Sequence, residues 1–152
     1  MPFRHNSLGV GDIYQNGGDW QLEADLCVTT TPIVGKDCRI FKILAPFSVI
    51  HSVTADIAMR YSGRTYGFLS LLNFPLRSIV SLLGFDGRSV CPIRFGDVCS
   101  ALIYATLQEL AVVQDWKDLT AYLAQYHRNC YHAGDTVTVC KAFPQYFVEV
   151  QP

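Results

Sequence analysis

Cys99 is the residue whose type and position come closest to those of a catalytic nucleophile. It falls in the first turn of a predicted helix, 98–113, which we expect Asp97 to cap. Unpaired backbone N–H groups and the helix dipole stabilise a thiolate at such a position. A cysteine early in an apolar helix is also explained as a packed small hydrophobe, and we favour that interpretation.

A cysteine nucleophile needs a base, and three histidines are candidates because the members of a catalytic triad need only be close in space. We expect His51 to lie half-buried at the end of a strand and His127 to lie near the C-terminus of a helix, where it interacts favourably with the dipole. The catalytic hypothesis assigns the role of base to His132 or His51.

Two short segments resemble a known enzyme family. The segment GDVCSALIY (96–104) resembles the nucleophile region of NlpC/P60-type cysteine peptidases, in which an Asp-Cys-Ser-Gly motif begins a buried helix. Ala101 stands here at the glycine position. The segment AGDTVTV (133–139) is similar to the Gly-Asp-Leu-Val strand of that family. The resemblance implies a cell-wall hydrolase or acyltransferase with Cys99 as its nucleophile.

A metal site is a further candidate, because four residues of suitable softness for zinc follow one another near the C-terminus. Their spacing, H-x2-C-x-H-x7-C, is not a common one, and no C-x-x-C pair occurs in the chain. We therefore predict no metal and no other cofactor. The four residues are His127, Cys130, His132 and Cys140.

The composition points to association with protein. Charged residues make up 16% of the 152 positions and apolar residues 50%, whereas soluble domains carry about 25% charged residues. A chain with so little charge is expected to turn apolar surface toward a copy of itself or a larger protein complex. The Lys and Arg residues are scattered, so nothing indicates nucleic-acid binding.

The closing strand is the predicted interface. Tyr146, Phe147 and Val148 run consecutively, so both faces of that strand carry apolar bulk. Aromatic residues are enriched at interfaces, and Tyr131 is a fourth candidate.

We expect no membrane span and no secretory signal. The most apolar stretch, 67–85, is interrupted by Asn73, Pro75 and Arg77 and is interpreted as two buried helical pieces. Six cysteines without a signal sequence are expected as reduced thiols. The predicted location is the cytoplasm, or a host cytoplasm or virion if the protein is viral.

The periodicity of apolar residues predicts strands at both ends and helices between them. Asn16-Gly17-Gly18 is expected to turn a hairpin, and 29–37 is interpreted as a loop. The predicted strands are 8–14, 19–28, 39–50, 136–143 and 145–150, and the predicted helices are 55–61, 67–73, 75–83, 98–113 and 116–128. We expect Asp115 to cap the last helix.

These elements predict one α+β domain spanning residues 1–152, with the N- and C-terminal strands in an antiparallel sheet and the helices packed on one face. The favoured hypothesis is a non-enzymatic interaction or assembly protein, such as a viral structural or accessory subunit. The alternative is a cysteine-dependent hydrolase or acyltransferase that uses Cys99.

Overall fold

The computed structural model describes residues 8–11, 20–24, 28–32, 40–64, 67–96 and 99–150; side chains are described from Phe41 onward, except those of Phe68, Cys99 and Val150. Five α-helices and five strands lie in these ranges. The molecule is an α+β protein, as the sequence predicts.

The strands form two antiparallel sheets. β1 (Leu8–Gly11), β2 (Trp20–Ala24) and β3 (Val28–Pro32) follow one another in the first. The second joins β4 (Ile40–Ile43) to β5 (Phe147–Val150), with Ile43 opposite Phe147. Pairing between an N-terminal and a C-terminal strand is thus confirmed, although the first three strands form a sheet of their own among the described residues.

One prediction in this part is wrong. The loop predicted at 29–37 begins with strand β3, where three consecutive threonines supply the β-branched side chains that suit a pleated strand. The predicted hairpin strands do pair antiparallel, with Leu8 opposite Leu22. The expected turn at 16–18 lies outside the described residues.

The first helix begins earlier than predicted. The strand expected at 39–50 ends at Ile43, and α1 covers Phe47–Tyr61. Pro46 occupies the N-cap position, and its carbonyl accepts the first helical hydrogen bond from Ile50 at 3.1 Å. The buried residues Val53, Ile57 and Tyr61 recur every four positions, so the helical period outweighs the β-branched pair at 49–50.

The middle of the chain is helical as predicted, with shifted boundaries. A 3₁₀ helix (Phe68–Leu72) leads directly into α2 (Asn73–Leu82), so Pro75 is the third residue of α2 and not the first. Gly84 follows α2 with a φ of +85° and ends it as expected. The central α3 covers Cys99–Val113. Its predicted cap, Asp97, lies outside the described residues.

The last third contains the largest error. α4 covers Lys117–Leu123 and is followed by a 3₁₀ helix, Arg128–Cys130. Asp115 does not cap α4; it adopts a φ of +54°, and Trp116 holds the N-cap position. The segment 136–143, predicted as a strand, is instead helical as far as Ala142 and belongs to α5, Ala133–Ala142, with Phe143 as its C-cap.

The core surrounds α3, which is buried on nearly every side. Helices α1, α4 and α5 contact it, and β5 contributes Phe147 to the same cluster. No helix of the described residues is long and apolar enough to span a membrane. The most deeply buried large side chains include Ile57, Leu102, Leu110, Leu119, Leu123, Tyr131 and Val139.

Candidate functional site

Helix α2 directs two polar side chains, those of Asn73 and Arg77, toward the interior of the protein. The Asn73 side chain is fully buried; its amide donates to the carbonyl of Ile93 at 2.6 Å and its oxygen accepts from the Ile93 N–H at 3.1 Å. These two bonds hold the segment that follows α2 against the helix. Because both groups are satisfied, the buried amide does not leave an unpaired polar atom.

Arg77, one turn further along α2, forms a buried ion pair with α5. Its guanidinium donates to both carboxylate oxygens of Asp135, at 2.5 and 3.0 Å, and also to the carbonyl of Cys130 at 2.9 Å. The same group lies 5.3 Å from the centre of the Tyr126 ring. The fork geometry fixes the rotation of α2 about its own axis.

The outward side of α2 and of the residues that flank it carries five apolar side chains beside the exposed Ser78 and Ser81. We call these five residues, Leu72, Leu76, Ile79, Leu82 and Leu83, the α2 face. Four of them are more than half exposed, from Ile79 at 55% to Leu82 at 87%, and Leu76 is half-buried. Leu72, Leu76, Ile79 and Leu83 recur at three- and four-residue spacing, so they form one stripe along the helix.

The surroundings of the α2 face are also apolar. Phe85 follows the helix and is 68% exposed, and Leu69 precedes it. Phe95 is exposed as well, and its backbone N–H donates to the Ser70 hydroxyl at 3.1 Å, which places it beside the 3₁₀ helix that leads into α2. In residues 67–85 the only charged side chain is Arg77, which points inward to Asp135.

The interface predicted from the closing strand is found only in part at the surface. Tyr131 and Phe147 are buried in the core of this chain. Tyr146 stacks on Trp116, with ring centres 4.2 Å apart, and its hydroxyl donates to Asp118 at 2.8 Å. Val148 is exposed, because alternate strand residues point to opposite faces. A partner contact at this strand stays a prediction.

The catalytic candidates lie on three different helices. The backbone of Cys99 begins α3, and the Ser100 hydroxyl donates to the carbonyl of Tyr131, so the start of α3 lies beside the residue preceding His132. His51 is not at a strand end; it is exposed on α1 and stacks on Phe47 with ring centres 5.9 Å apart. The catalytic role of Cys99 stays a prediction.

His132 occupies the N-cap position of α5 next to Asp135. Its Nδ1 atom lies 3.4 Å from an Asp135 carboxylate oxygen, and its ring meets Phe74 edge-on. Burial lowers the pKa of His132, so the neutral imidazole is favoured. The segment that is similar to a peptidase strand, 133–139, is helical here, which contradicts that part of the resemblance.

The four residues considered for zinc do not form a metal site. Cys130 donates its thiol proton to the carbonyl of Val90, and His127 Nδ1 accepts from the backbone N–H of Asn129 at 3.2 Å. Cys140 is buried in α5. Among the described residues, no group of three or more His, Cys, Asp or Glu side chains could hold a metal ion.

The fold also gathers arginines that are scattered in the sequence. An open cleft of about 600 Å³ is lined by Arg64, Arg94 and Arg128 together with His127. Burial lowers the pKa of His127, and the neighbouring charges of Arg94 and Arg128 lower it further. Arg128 also links two segments of the fold, because it donates to the Tyr61 hydroxyl at 3.2 Å.

Comparison with known proteins found no matching family model, no matching curated protein and no matching solved structure.

The α2 face was not predicted, although the spacing of its residues is visible in the sequence. Leu72, Leu76, Ile79 and Leu83 are a regular helical stripe, and such a stripe normally packs against the core. What reversed the expectation is the pairing of Arg77 with Asp135, 58 positions away. No local pattern indicates that pair.

Proposed function

We propose that this chain is a protein–protein interaction domain that associates with a second copy of itself through the α2 face. The observation that carries the proposal is the reversed polarity of α2: Asn73 and Arg77 face the core, while Ile79 and most of the leucines face outward. A surface helix ordinarily buries its apolar side. An apolar stripe with exposed neighbours is typical of a contact surface.

The absence of charge on the α2 face favours a second copy as the partner. In a two-fold contact both molecules use the same patch, which must therefore be complementary to itself. The α2 face has no charged side chain that would need an opposite charge on the partner, because the charge of Arg77 is directed to Asp135 inside the molecule. The patch is therefore complementary to itself.

The expected affinity is moderate. Burying the exposed half of a Leu or Ile contributes about 1 kcal/mol, so the side chains of two α2 faces contribute on the order of 10 kcal/mol. Association costs at least about 4 kcal/mol in lost translation and rotation. The difference of at most about 6 kcal/mol corresponds to a dissociation constant of roughly tens of micromolar or weaker.

A charge-swap experiment tests the proposal. Ile79 lies in the middle of the stripe, so two antiparallel α2 helices bring the two Ile79 residues close together. Ile79→Glu and Ile79→Lys should each be monomeric because like charges meet at the contact. An equimolar mixture of the two variants should regain the dimer, as measured by sedimentation velocity.

Met59→Glu is the matched control, because Met59 is an equally apolar and 75% exposed residue on α1. This variant should dimerise like the wild type. A mixture of the Ile79 variants that stays monomeric, although the wild type dimerises, would show that the α2 face is not the contact.

A second candidate function, the cysteine-dependent hydrolase or acyltransferase, is favoured by one observation. The hydrogen bond from Ser100 to the Tyr131 carbonyl brings the start of α3 beside His132, whose imidazole lies next to Asp135. Under this proposal Cys99→Ala abolishes activity and leaves association unchanged. Absence of a single rapidly alkylated thiol in the native protein would argue against it.

The setting of the domain is part of the proposal. A subunit or accessory protein of a viral particle, located in the host cytoplasm or the virion, is the context expected from the low charge content. That assignment stays a prediction.

A further inference from the structure

Two cysteine thiols meet beneath α2. Cys91 lies in the segment after α2, and Cys130 is the last residue of the 3₁₀ helix that precedes α5. Both are buried free thiols, and they interact with each other. The Cys130 thiol also donates to the carbonyl of Val90, the residue before Cys91, so two residues 40 positions apart are joined at this point.

The inward residues of α2 contact both cysteines. The Asn73 amide donates to the Cys91 sulfur at 3.4 Å, and Arg77 donates to the Cys130 carbonyl at 2.9 Å. The Cys91 thiol in turn donates to the carbonyl of Ile93 at 3.4 Å. These contacts hold the two cysteine-bearing segments against α2, so the two thiols stay close together in the folded chain.

We propose that Cys91 and Cys130 form a thiol–disulfide site, which closes by exchange with a small disulfide such as oxidised glutathione. The first step is attack by the Cys91 thiolate on one glutathione sulfur, which releases one glutathione thiolate and leaves a mixed disulfide. The Cys130 thiolate then attacks the Cys91 sulfur and releases the second glutathione. The protein loses two electrons and two protons, and the oxidant becomes two glutathione thiols.

The order of attack follows from exposure and charge. Cys91 is 6% exposed whereas Cys130 is fully buried. Burial raises the pKa of both thiols, that of Cys130 to about 12, and the nearby Arg94 partly offsets the effect at Cys91. Because only the thiolate reacts, we expect a slow reaction that accelerates as the pH rises.

Peptide mapping of the wild-type protein tests the site. The reduced, folded chain is incubated with oxidised glutathione at mildly alkaline pH, then denatured, alkylated and digested with trypsin and an Asp-specific protease. These enzymes place Cys91 in peptide 89–94, Cys130 in peptide 129–134 and Cys140 in peptide 135–141. The expected product is a crosslink between the first two peptides, with Cys140 alkylated.

Cys140→Ala is the matched control, since Cys140 is also a buried thiol, and it should leave the crosslink unchanged. Cys91→Ser should leave Cys130 alkylated. When the wild-type chain is oxidised in denaturant, Cys91 and Cys130 should form crosslinks with other cysteines as well as with each other. Full alkylation of Cys91 and Cys130 after prolonged oxidation of the folded wild type would overturn the proposal. A crosslink of either residue to Cys140 would overturn it as well.

Discussion

Asn73 and Arg77 determine which side of α2 packs against the rest of the chain. Neither residue has an apolar side chain, yet both lie inside because each finds hydrogen-bond partners there: the backbone of Ile93 for Asn73, and Asp135 with the Cys130 carbonyl for Arg77. A buried charge is tolerated only when it is paired and hydrogen-bonded. Two polar contacts thus leave the apolar side of the helix exposed.

The ion pair between Arg77 and Asp135 should therefore be costly to break. Arg77→Ala leaves the buried Asp135 carboxylate without its partner, and we expect a loss of about 3–5 kcal/mol in the free energy of unfolding. Replacing both residues, as in Arg77→Met with Asp135→Leu, should recover most of that loss. The double variant still lacks the Asp135 bond to the backbone N–H of His132, which costs about 1 kcal/mol.

Urea unfolding of the three proteins measures these differences. Equal destabilisation of the single and the double variant would mean that the Asp135 carboxylate is not destabilised by losing Arg77.

The two half-buried histidines, His127 and His132, should make stability depend on pH. Burial lowers the pKa of His132 and of His127 in the folded protein, whereas an unfolded histidine titrates near about 6.5. Between these values the unfolded chain binds more protons, so the free energy of unfolding rises with pH. Stability should be highest above about pH 6.5, fall as the pH decreases toward the folded pKa values, and level off below them.

Urea unfolding at several pH values from about 8 to about 5, a range above the usual titration of carboxyl groups, checks this dependence. His132→Gln should reduce the slope, and His127→Gln combined with it should remove most of the remainder. A double variant with the wild-type slope would assign the effect to other groups.

At the scale of the elements, the close contact between α2 and the segment after it depends on glycine. A Cβ at Gly87 would lie 2.7 Å from the carbonyl oxygen of Arg77, so Gly87→Ala must shift the backbone. We expect a loss of about 1–3 kcal/mol. Gly84 differs, because it has a positive φ and nothing within 4 Å of an added Cβ.

Substitution by asparagine distinguishes the need for a positive φ at position 84 from the need for space at position 87. Asparagine tolerates a positive φ, so Gly84→Asn should be more stable than Gly84→Ala. At position 87, where space is limiting, Gly87→Asn should be less stable than Gly87→Ala. Thermal unfolding of the four variants gives both rankings, and the same ranking at both positions would refute the distinction.

The elements that the sequence predicts correctly are those whose local pattern and tertiary environment agree. α3 is apolar nearly all round and passes through the core, so its residue pattern and its burial both agree with a central helix. The Asn-Gly signal correctly predicts that the flanking strands pair. Fold class and the central helix could therefore be inferred from residues alone.

α5 shows why other elements could not be predicted. The alternation in TVTV favours a strand by propensity, but Ala133, Val139, Cys140 and Phe143 recur at helical spacing and are buried together. Asp135 also accepts the N–H of His132 and so begins the helix. Tertiary packing overrides propensity here, and the same lack of tertiary information left the α2 face unrecognised.

At the scale of the whole molecule, much of the exposed apolar surface expected from the low charge content lies on and around α2. The described helices α1, α3, α4 and α5 share one core, whereas α2 with its neighbours Leu69, Phe85 and Phe95 carries much of the exposed apolar surface. A domain of this composition can remain folded as a single chain and still have one side suited to contact with protein. We therefore propose that self-association takes place through this one helix.

The most direct test of this central claim is sedimentation equilibrium of the wild-type protein over concentrations from micromolar to millimolar, under reducing conditions. The account predicts a reversible equilibrium that moves from the mass of one chain to twice that mass as concentration rises, with a dissociation constant of roughly tens of micromolar or weaker. The mass of one chain across the whole range would contradict self-association through the α2 face.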